Sequence, residues 1–171
     1  MPSPAGPNPA AGEMVTALKE RGETVAWCES LTAGLGAATL ATVAGASAVL
    51  RGGLVTYATE LKTTLAGVDP ALIAEHTVIS ASVAEAMAAG ARARCGADWG
   101  LALTGVAGPD PQDGHAVGEV WAGLAAPDGS QRSWQVGGPA GLSGTRDEIR
   151  TRAVAETLAV AVEKIRIFPR R

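Results

Sequence analysis

Apolar and polar positions follow two rhythms along this chain, and the changes of rhythm mark its elements. From Ala11 to Arg21 the apolar residues Met14, Val15 and Leu18 recur at helical spacing, and Gly22 ends the run as a C-terminal cap. Thr24 to Cys28 is a short β-type run. Ala33 to Val43 reads as a helix of small residues closed by Gly45, and Gly53 to Tyr57 as a second strand. A short helix is predicted from Thr59 to Leu65, stopped by Gly67, and Pro70 opens another helical turn. Ser80 to Arg94 is the clearest helix, with Ser80 as N-cap or Ser82 with Glu85 as an alternative capping box. Trp99 to Thr104 is a buried-strand candidate ended by Gly105. Val117 to Ala125 and Gln131 to Val136 predict a hairpin around Pro127-Asp128-Gly129. The last helix starts near Arg146 behind a Thr145–Glu148 capping box, and Ile149, Ala153, Val154, Leu158 and Val162 form its apolar face.

Strands alternating with helices, with one late hairpin, give an α/β class. We expect a three-layer α/β/α arrangement around a mixed, mostly parallel sheet with one antiparallel strand. Residues 1–10 read as a disordered, proline-rich leader, 11–167 as a single domain and 168–171 as a tail. In such a sheet ligands sit beyond the carboxyl ends of the strands. Three predicted strands end in polar, turn-rich sequence, at Glu29-Ser30-Leu31-Thr32, Thr56-Tyr57-Ala58-Thr59 and Thr104 to Pro109. If the strands are parallel, all three ends share one rim.

Composition narrows the partners. Hydrophobic residues make up 47% of the 171 positions, enough for a proper core, and aromatics only 4%, so that core is mostly Ala, Val and Leu. A net charge of −3 argues against a nucleic-acid binder driven by phosphate contacts. No apolar run approaches the ~18 residues that would cross a membrane. The N-terminus lacks the basic start and apolar core of a signal peptide. Cys28 and Cys95 have no CxxC spacing and read as free thiols of a reducing compartment, which points to the cytoplasm. His76 and His115 are too isolated to build a zinc site, and no metal is expected.

The rim carries candidate chemistry. Ser30 follows a strand and precedes a helix, so its hydroxyl is either presented at a tight turn or caps that helix. The sequence is not G-x-S-x-G, and no Ser-His-Asp set is evident. A serine nucleophile still needs a base, and a desolvated lysine can serve. The chain holds 11 Arg but only Lys19, Lys62 and Lys164, and Lys62 lies just past the second rim strand. Arg cannot deprotonate where Lys can. Tyr57, the sole tyrosine, falls on the same rim. The Thr104–Pro109 loop is glycine-rich, through Gly105 and Gly108, and its amides can approach a ligand. It lacks the phosphate-loop and dinucleotide fingerprints. Arg146 at a helix start is opposed by the helix dipole, so it pairs either with an anionic ligand or with neighbouring carboxylates. Glu29 either orients Lys62 or caps the turn.

These motifs together resemble the CinA C-terminal domain family, from about Ala11 to Ile165. The family pattern A-E-S-C-T-G-G corresponds to Cys28-Glu29-Ser30-Leu31-Thr32-Ala33-Gly34. Its G-A-S and G-G-x-V-x-Y segments correspond to Gly45-Ala46-Ser47 and Gly52 to Tyr57, and its lysine to Lys62. Its T-G-x-A-G-P loop is Thr104 to Pro109, and its R-x-x-I-R is Arg146 to Arg150. The resemblance implies a nicotinamide-nucleotide amidase, which hydrolyses the carboxamide of nicotinamide mononucleotide to the nicotinic acid nucleotide and ammonia. It implies Ser30 as nucleophile, Lys62 as base and Tyr57 as oxyanion partner. Glu29, Thr32, Gly34, Thr104, Gly105, Gly108 and Arg146 are the implied substrate contacts. No metal or cofactor is implied, and a homodimer is expected.

The departures are local. Leu31 stands where the family usually has a cysteine, Ala33 replaces a glycine, and Trp27 and Cys28 are larger than the usual residues. The family's frequent molybdopterin-type N-terminal domain has no expected counterpart here. A non-catalytic nucleotide-binding or competence-associated interaction module is the competing reading. A phosphoryl-transfer enzyme is a weaker one, because the loop has no lysine.

Overall fold

The protein is described by a computed structural model covering residues 8–170, so positions 1–7 of the leader expected at 1–10 and the last tail residue lie outside the described residues. Helix α1 (Pro9–Arg21) begins earlier than its apolar pattern suggests. Asn8 caps it by accepting from the Ala11 amide, and Pro9 occupies the first turn, where a missing N–H costs nothing. Pro9 and Ala10 therefore belong to the domain, not to a leader. Strand β1 (Val25–Glu29) leads to α2 (Leu35–Ala41), β2 (Leu50–Val55), α3 (Thr59–Thr64), α4 (Pro70–His76) and α5 (Ala81–Cys95). Then come β3 (Trp99–Gly105), the hairpin β4 (Val120–Ala125) and β5 (Gln131–Gln135), and α6 (Arg146–Ile167).

The sheet order is β2-β1-β3-β4-β5. β1 pairs in parallel with β2 and β3, while β4 is antiparallel to both β3 and β5. Only β4 therefore runs against the other four strands. β2 starts and ends earlier than predicted, at Leu50 and Val55, which leaves Thr56 and Tyr57 in the loop beyond it.

Side-chain alternation across the central strands builds two unequal faces. Val25 and Trp27 of β1, with Trp99, Leu101 and Leu103 of β3, join the large cluster under α1, α2 and α6. Ala26, Cys28 and Ala102 face α5 in a second cluster, to which the central strands contribute only small side chains. Large side chains fill the first layer, and small ones let α5 lie almost on the strands in the second. Gly100 and Gly123 take this to its limit, because a β-carbon at either would collide with the Ala88 or Ala84 carbonyl of α5. Ser80 caps α5 by accepting from the Val83 amide, and the Thr145–Glu148 capping box of α6 is complete in both directions. All five residues read as the apolar face of α6 are buried.

The chain goes from β1 to β2 through α2, then back past β1 to β3 through α3, α4 and α5. α2 belongs to one layer and α5 to the other. β1 is thus the strand at which the winding reverses, and the crevice beyond its carboxyl end is where open α/β sheets hold ligands.

Candidate active site

Ser30 is the first residue past β1, and its amide donates to the Leu103 carbonyl at 2.9 Å, extending the ladder with β3 by one bond. The chain then turns sharply. Ala33 has φ 49° and Gly34, the N-cap of α2, has φ 98°. The left-handed region costs a non-glycine residue about 1 kcal/mol, and something must hold Ala33 in it. Glu29 does so from below. Its buried carboxylate accepts from Thr32 Oγ1 at 2.7 Å and from the Gly36 and Ala37 amides at 2.7 and 3.1 Å. An anion on the first-turn amides of α2 also suits the helix dipole. Arg150 holds the turn from the other side, donating to the Leu31 carbonyl at 3.0 Å and to the Thr32 carbonyl at 3.2 Å.

Of the two roles open to Glu29 in the sequence, the structure gives it the cap. Glu29, Thr32 and Gly34 build the turn and do not line the cleft in front of it. Their side chains and backbone shape thus serve as a scaffold, and any contact of Thr32 or Gly34 with a ligand runs through backbone amides of the turn. The hydroxyl of Ser30 is not used as a cap.

Lys62 reaches the same point from α3. Its side chain is buried, and Nζ donates to Ser30 Oγ at 3.1 Å and to the Thr56 carbonyl at 2.8 Å. Burial disfavours the ammonium and lowers the Lys62 pKa; Cys28 and Glu60 oppose that shift. Cys28, fully buried and in contact with the Thr56 hydroxyl, is not a rival nucleophile. Burial pushes its thiol up to about 11, with the Thr56 hydroxyl bond and Lys62 pulling weakly the other way.

The cleft in front of this pair is lined by Ser30, Leu31, Tyr57, Thr59, Lys62, Val78, Ile79, Asp110, Gln112, Arg146 and the loop from Thr104 to Gly108. Thr104 is buried, and its hydroxyl donates to the Val78 carbonyl at 2.7 Å, fixing the β3 end to the segment before α5. Gly105 sits against β4, where a β-carbon would come 2.5 Å from the Glu119 carbonyl. Gly108 has φ 85° and precedes a cis bond to Pro109. Arg146 spans the mouth, donating to the Gly108 carbonyl at 2.6 Å and to the Tyr57 hydroxyl at 2.7 Å. Tyr57 is thus bound to Arg146 on the opposite wall rather than to Ser30 or Lys62.

Ser30, Tyr57, Lys62, Thr104, Gly105, Gly108 and Arg146 therefore meet in one crevice. Sequence reasoning gave no individual role to Thr56, Asp110, Gln112 or the turn clamp Arg150, although Thr56 and Arg150 lay within the motifs it quoted. For Arg150 a signal existed, since its spacing four residues after Arg146 puts both on one face of α6. Among the described residues no group of three or more His, Cys, Asp or Glu side chains is placed to hold a metal ion. No helix among them is long and apolar enough to cross a membrane.

A family model described as the CinA C-terminal domain matches residues 8–165. A CinA-like protein of Frankia casuarinae is 49% identical over 148 residues, 86% of this chain and 33% of that protein. A putative competence-damage inducible protein of Limosilactobacillus fermentum is 43% identical over 156 residues, 91% of this chain and 37% of the relative. The chain thus spans about a third of the length of these relatives. Among solved structures, a competence-damaged protein (CinA) superfamily protein of Klebsiella pneumoniae aligns with TM-score 0.89 at 27% identity, covering 96% of this chain and 100% of that one. A competence/damage inducible protein of Agrobacterium tumefaciens aligns with TM-score 0.83 at 31% identity, covering 94% and 97%.

Proposed function

The chain belongs to the CinA C-terminal domain family, and from that premise we propose that it is an amide hydrolase acting on the carboxamide of nicotinamide mononucleotide, with Ser30 as nucleophile and Lys62 as base. The observation that carries the reading is the 3.1 Å contact between Lys62 Nζ and Ser30 Oγ, made by a lysine whose burial favours the neutral amine.

In this reading Ser30 Oγ attacks the carboxamide carbon while its proton passes to Lys62 Nζ. Backbone amides of the turn after Ser30 stabilise the tetrahedral oxyanion. Tyr57 assists, since accepting from Arg146 leaves the phenol hydrogen as a donor. The C–N bond then breaks, Lys62 returns its proton to the leaving nitrogen, and ammonia departs. Water attacks the remaining Ser30 ester, giving its proton to Lys62, and the acid product leaves as Ser30 recovers a proton. Arg146 has further N–H donors beyond those on Gly108 and Tyr57, and they suit the substrate phosphate.

The test is ammonia release from nicotinamide mononucleotide in the presence of EDTA. Wild type is expected to turn over, and folded Ser30→Ala and Lys62→Ala to lose roughly 10³-fold or more in kcat. A wild type that is inert but is stabilised thermally by the nucleotide would instead support the binding-module reading.

A further inference from the structure

Two buried side chains beneath Lys62 have no part in the steps above. Cys28 and Thr56 are both fully buried. Cys28 Sγ lies 3.4 Å from Thr56 Oγ1. The Thr56 amide donates to the Glu29 carbonyl at 2.9 Å, and the Thr56 carbonyl accepts from Lys62 Nζ at 2.8 Å. Every polar group of Thr56 is therefore engaged, and two of its three partners belong to β1.

The chemistry makes the carbonyl contact matter. A neutral amine has one lone pair, and it takes the Ser30 proton only if that lone pair faces Oγ. An N–H fixed on the Thr56 carbonyl restricts the rotation of the amine, so that one of its two remaining positions, which the lone pair can take, faces Ser30 Oγ. Thr56 lies just past the last residue of β2, an edge strand held by β1 on one side only. The hydroxyl–thiol contact anchors its peptide there.

Resting on the Ser30–Lys62 reading, we propose that Cys28 and Thr56 form a buried positioning couple that aims the Lys62 lone pair at Ser30 through the Thr56 carbonyl. Because burial keeps the Cys28 thiol protonated, the couple achieves this without placing an anion beside Lys62 that would hold it charged.

The experiment compares Thr56→Val, Thr56→Ser, Cys28→Ala and Cys28→Ser by ammonia release and by the titration of Lys62. The chain has only Lys19, Lys62 and Lys164, so side-chain NMR of carbon-13-labelled lysine resolves Lys62, assigned with Lys62→Arg. Thr56→Val is expected to lower kcat by about 10- to 100-fold with KM unchanged, the scale of a small misplacement of a reacting group. Its Lys62 titration should move to lower pH, because a loosened carbonyl stabilises the ammonium less. Cys28→Ala should change both in the same direction by less, and Thr56→Ser and Cys28→Ser should restore both. Folded Thr56→Val with unchanged kcat and unchanged Lys62 titration overturns the couple, as does Thr56→Ser behaving like Thr56→Val. If Thr56→Val does not fold, Cys28→Ala carries the same two readouts. If wild type releases no ammonia, the amidase reading fails, and the Lys62 titration alone then decides the couple.

Discussion

A lysine that is 2% exposed is an expensive residue to fold around, and its cost has a pH signature. Burial lowers the folded-state pKa of Lys62, while in the unfolded chain it titrates near the ordinary lysine value. Between those two values the unfolded chain holds a proton that the folded chain does not, so stability rises with pH across that window. Below the folded value both forms are charged and the full penalty applies. Lys62→Met removes the group, so its stability advantage over wild type should be largest at lower pH and shrink as pH rises towards the ordinary lysine range. Thermal melting of both proteins along a pH series checks this, and a gap that does not change with pH contradicts it. With Lys62 as the proposed base, the same titration is expected to govern activity. The rising limb of kcat/KM should fall below the ordinary lysine range, because the neutral amine is the working form. Ser30 and Lys62 were legible in the sequence because each follows a strand end by a short, fixed stretch, so backbone direction alone carries them to the rim. For Glu29 the cap was one of two roles open in the sequence, and the choice was not legible, because a carboxylate that reaches amides seven and eight residues ahead depends on a turn whose shape only the fold reveals. Nor was the Tyr57–Arg146 contact, which joins residues 89 positions apart.

At the scale of elements, the site depends on how closely α5 lies on the sheet. Thr104 is tied to Val78 just ahead of α5, so the height of that helix sets the wall of the cleft. Gly123 touches the Ala84–Glu85 backbone so closely that no side chain fits between them. Gly123→Ala should therefore force the helix outward and cost about 1–3 kcal/mol, the usual range for overpacking a dense core. Urea unfolding gives the number, and a loss well under ~0.5 kcal/mol would mean that α5 can retreat freely. The sequence showed the helix and the strand but not this contact. Glycine in a strand pattern signals a bulge as readily as a close approach, and here the approach is the reason. Element ends were the less legible part for a similar cause. β2 gives up Thr56 and Tyr57, although both have β propensity, because the chain must leave the sheet for α3 to deliver Lys62.

Across the whole molecule the two ends of the sheet carry different burdens. The carboxyl ends of β1 and β3, with the loop after β2, hold the cleft. At the amino end of β3 a buried network closes the fold instead. Glu23 accepts from Trp99 Nε1 at 2.7 Å and from Arg21 Nε at 2.7 Å. Arg21 also donates to the Phe168 and Pro169 carbonyls at 3.0 and 3.1 Å, and the Phe168 ring meets Trp99 edge-on at 5.0 Å. Phe168 and Pro169 are thus fastened to α1, and Phe168 to β3, which the sequence could not show because the Arg21 partner lies 147 positions before Phe168 and the Trp99 ring is also distant in the chain. Removing one partner of a nearly buried pair strands the other charge, so Glu23→Ala should cost about 3 kcal/mol. The surface pair Arg166–Glu13 is half exposed on both sides, and its removal should cost well under ~1 kcal/mol by comparison. Neither change touches the crevice. Below its lowered melting point, Glu23→Ala should therefore keep kcat/KM for the nucleotide within about twofold of wild type, since well-separated sites act independently. Denaturant unfolding and ammonia release on the same preparation measure both quantities. A large loss of activity in folded Glu23→Ala would mean that the two ends of the sheet are coupled, and that the geometry of the Ser30 turn is set by the whole β1–β3 ladder rather than by Glu29 and Arg150 alone.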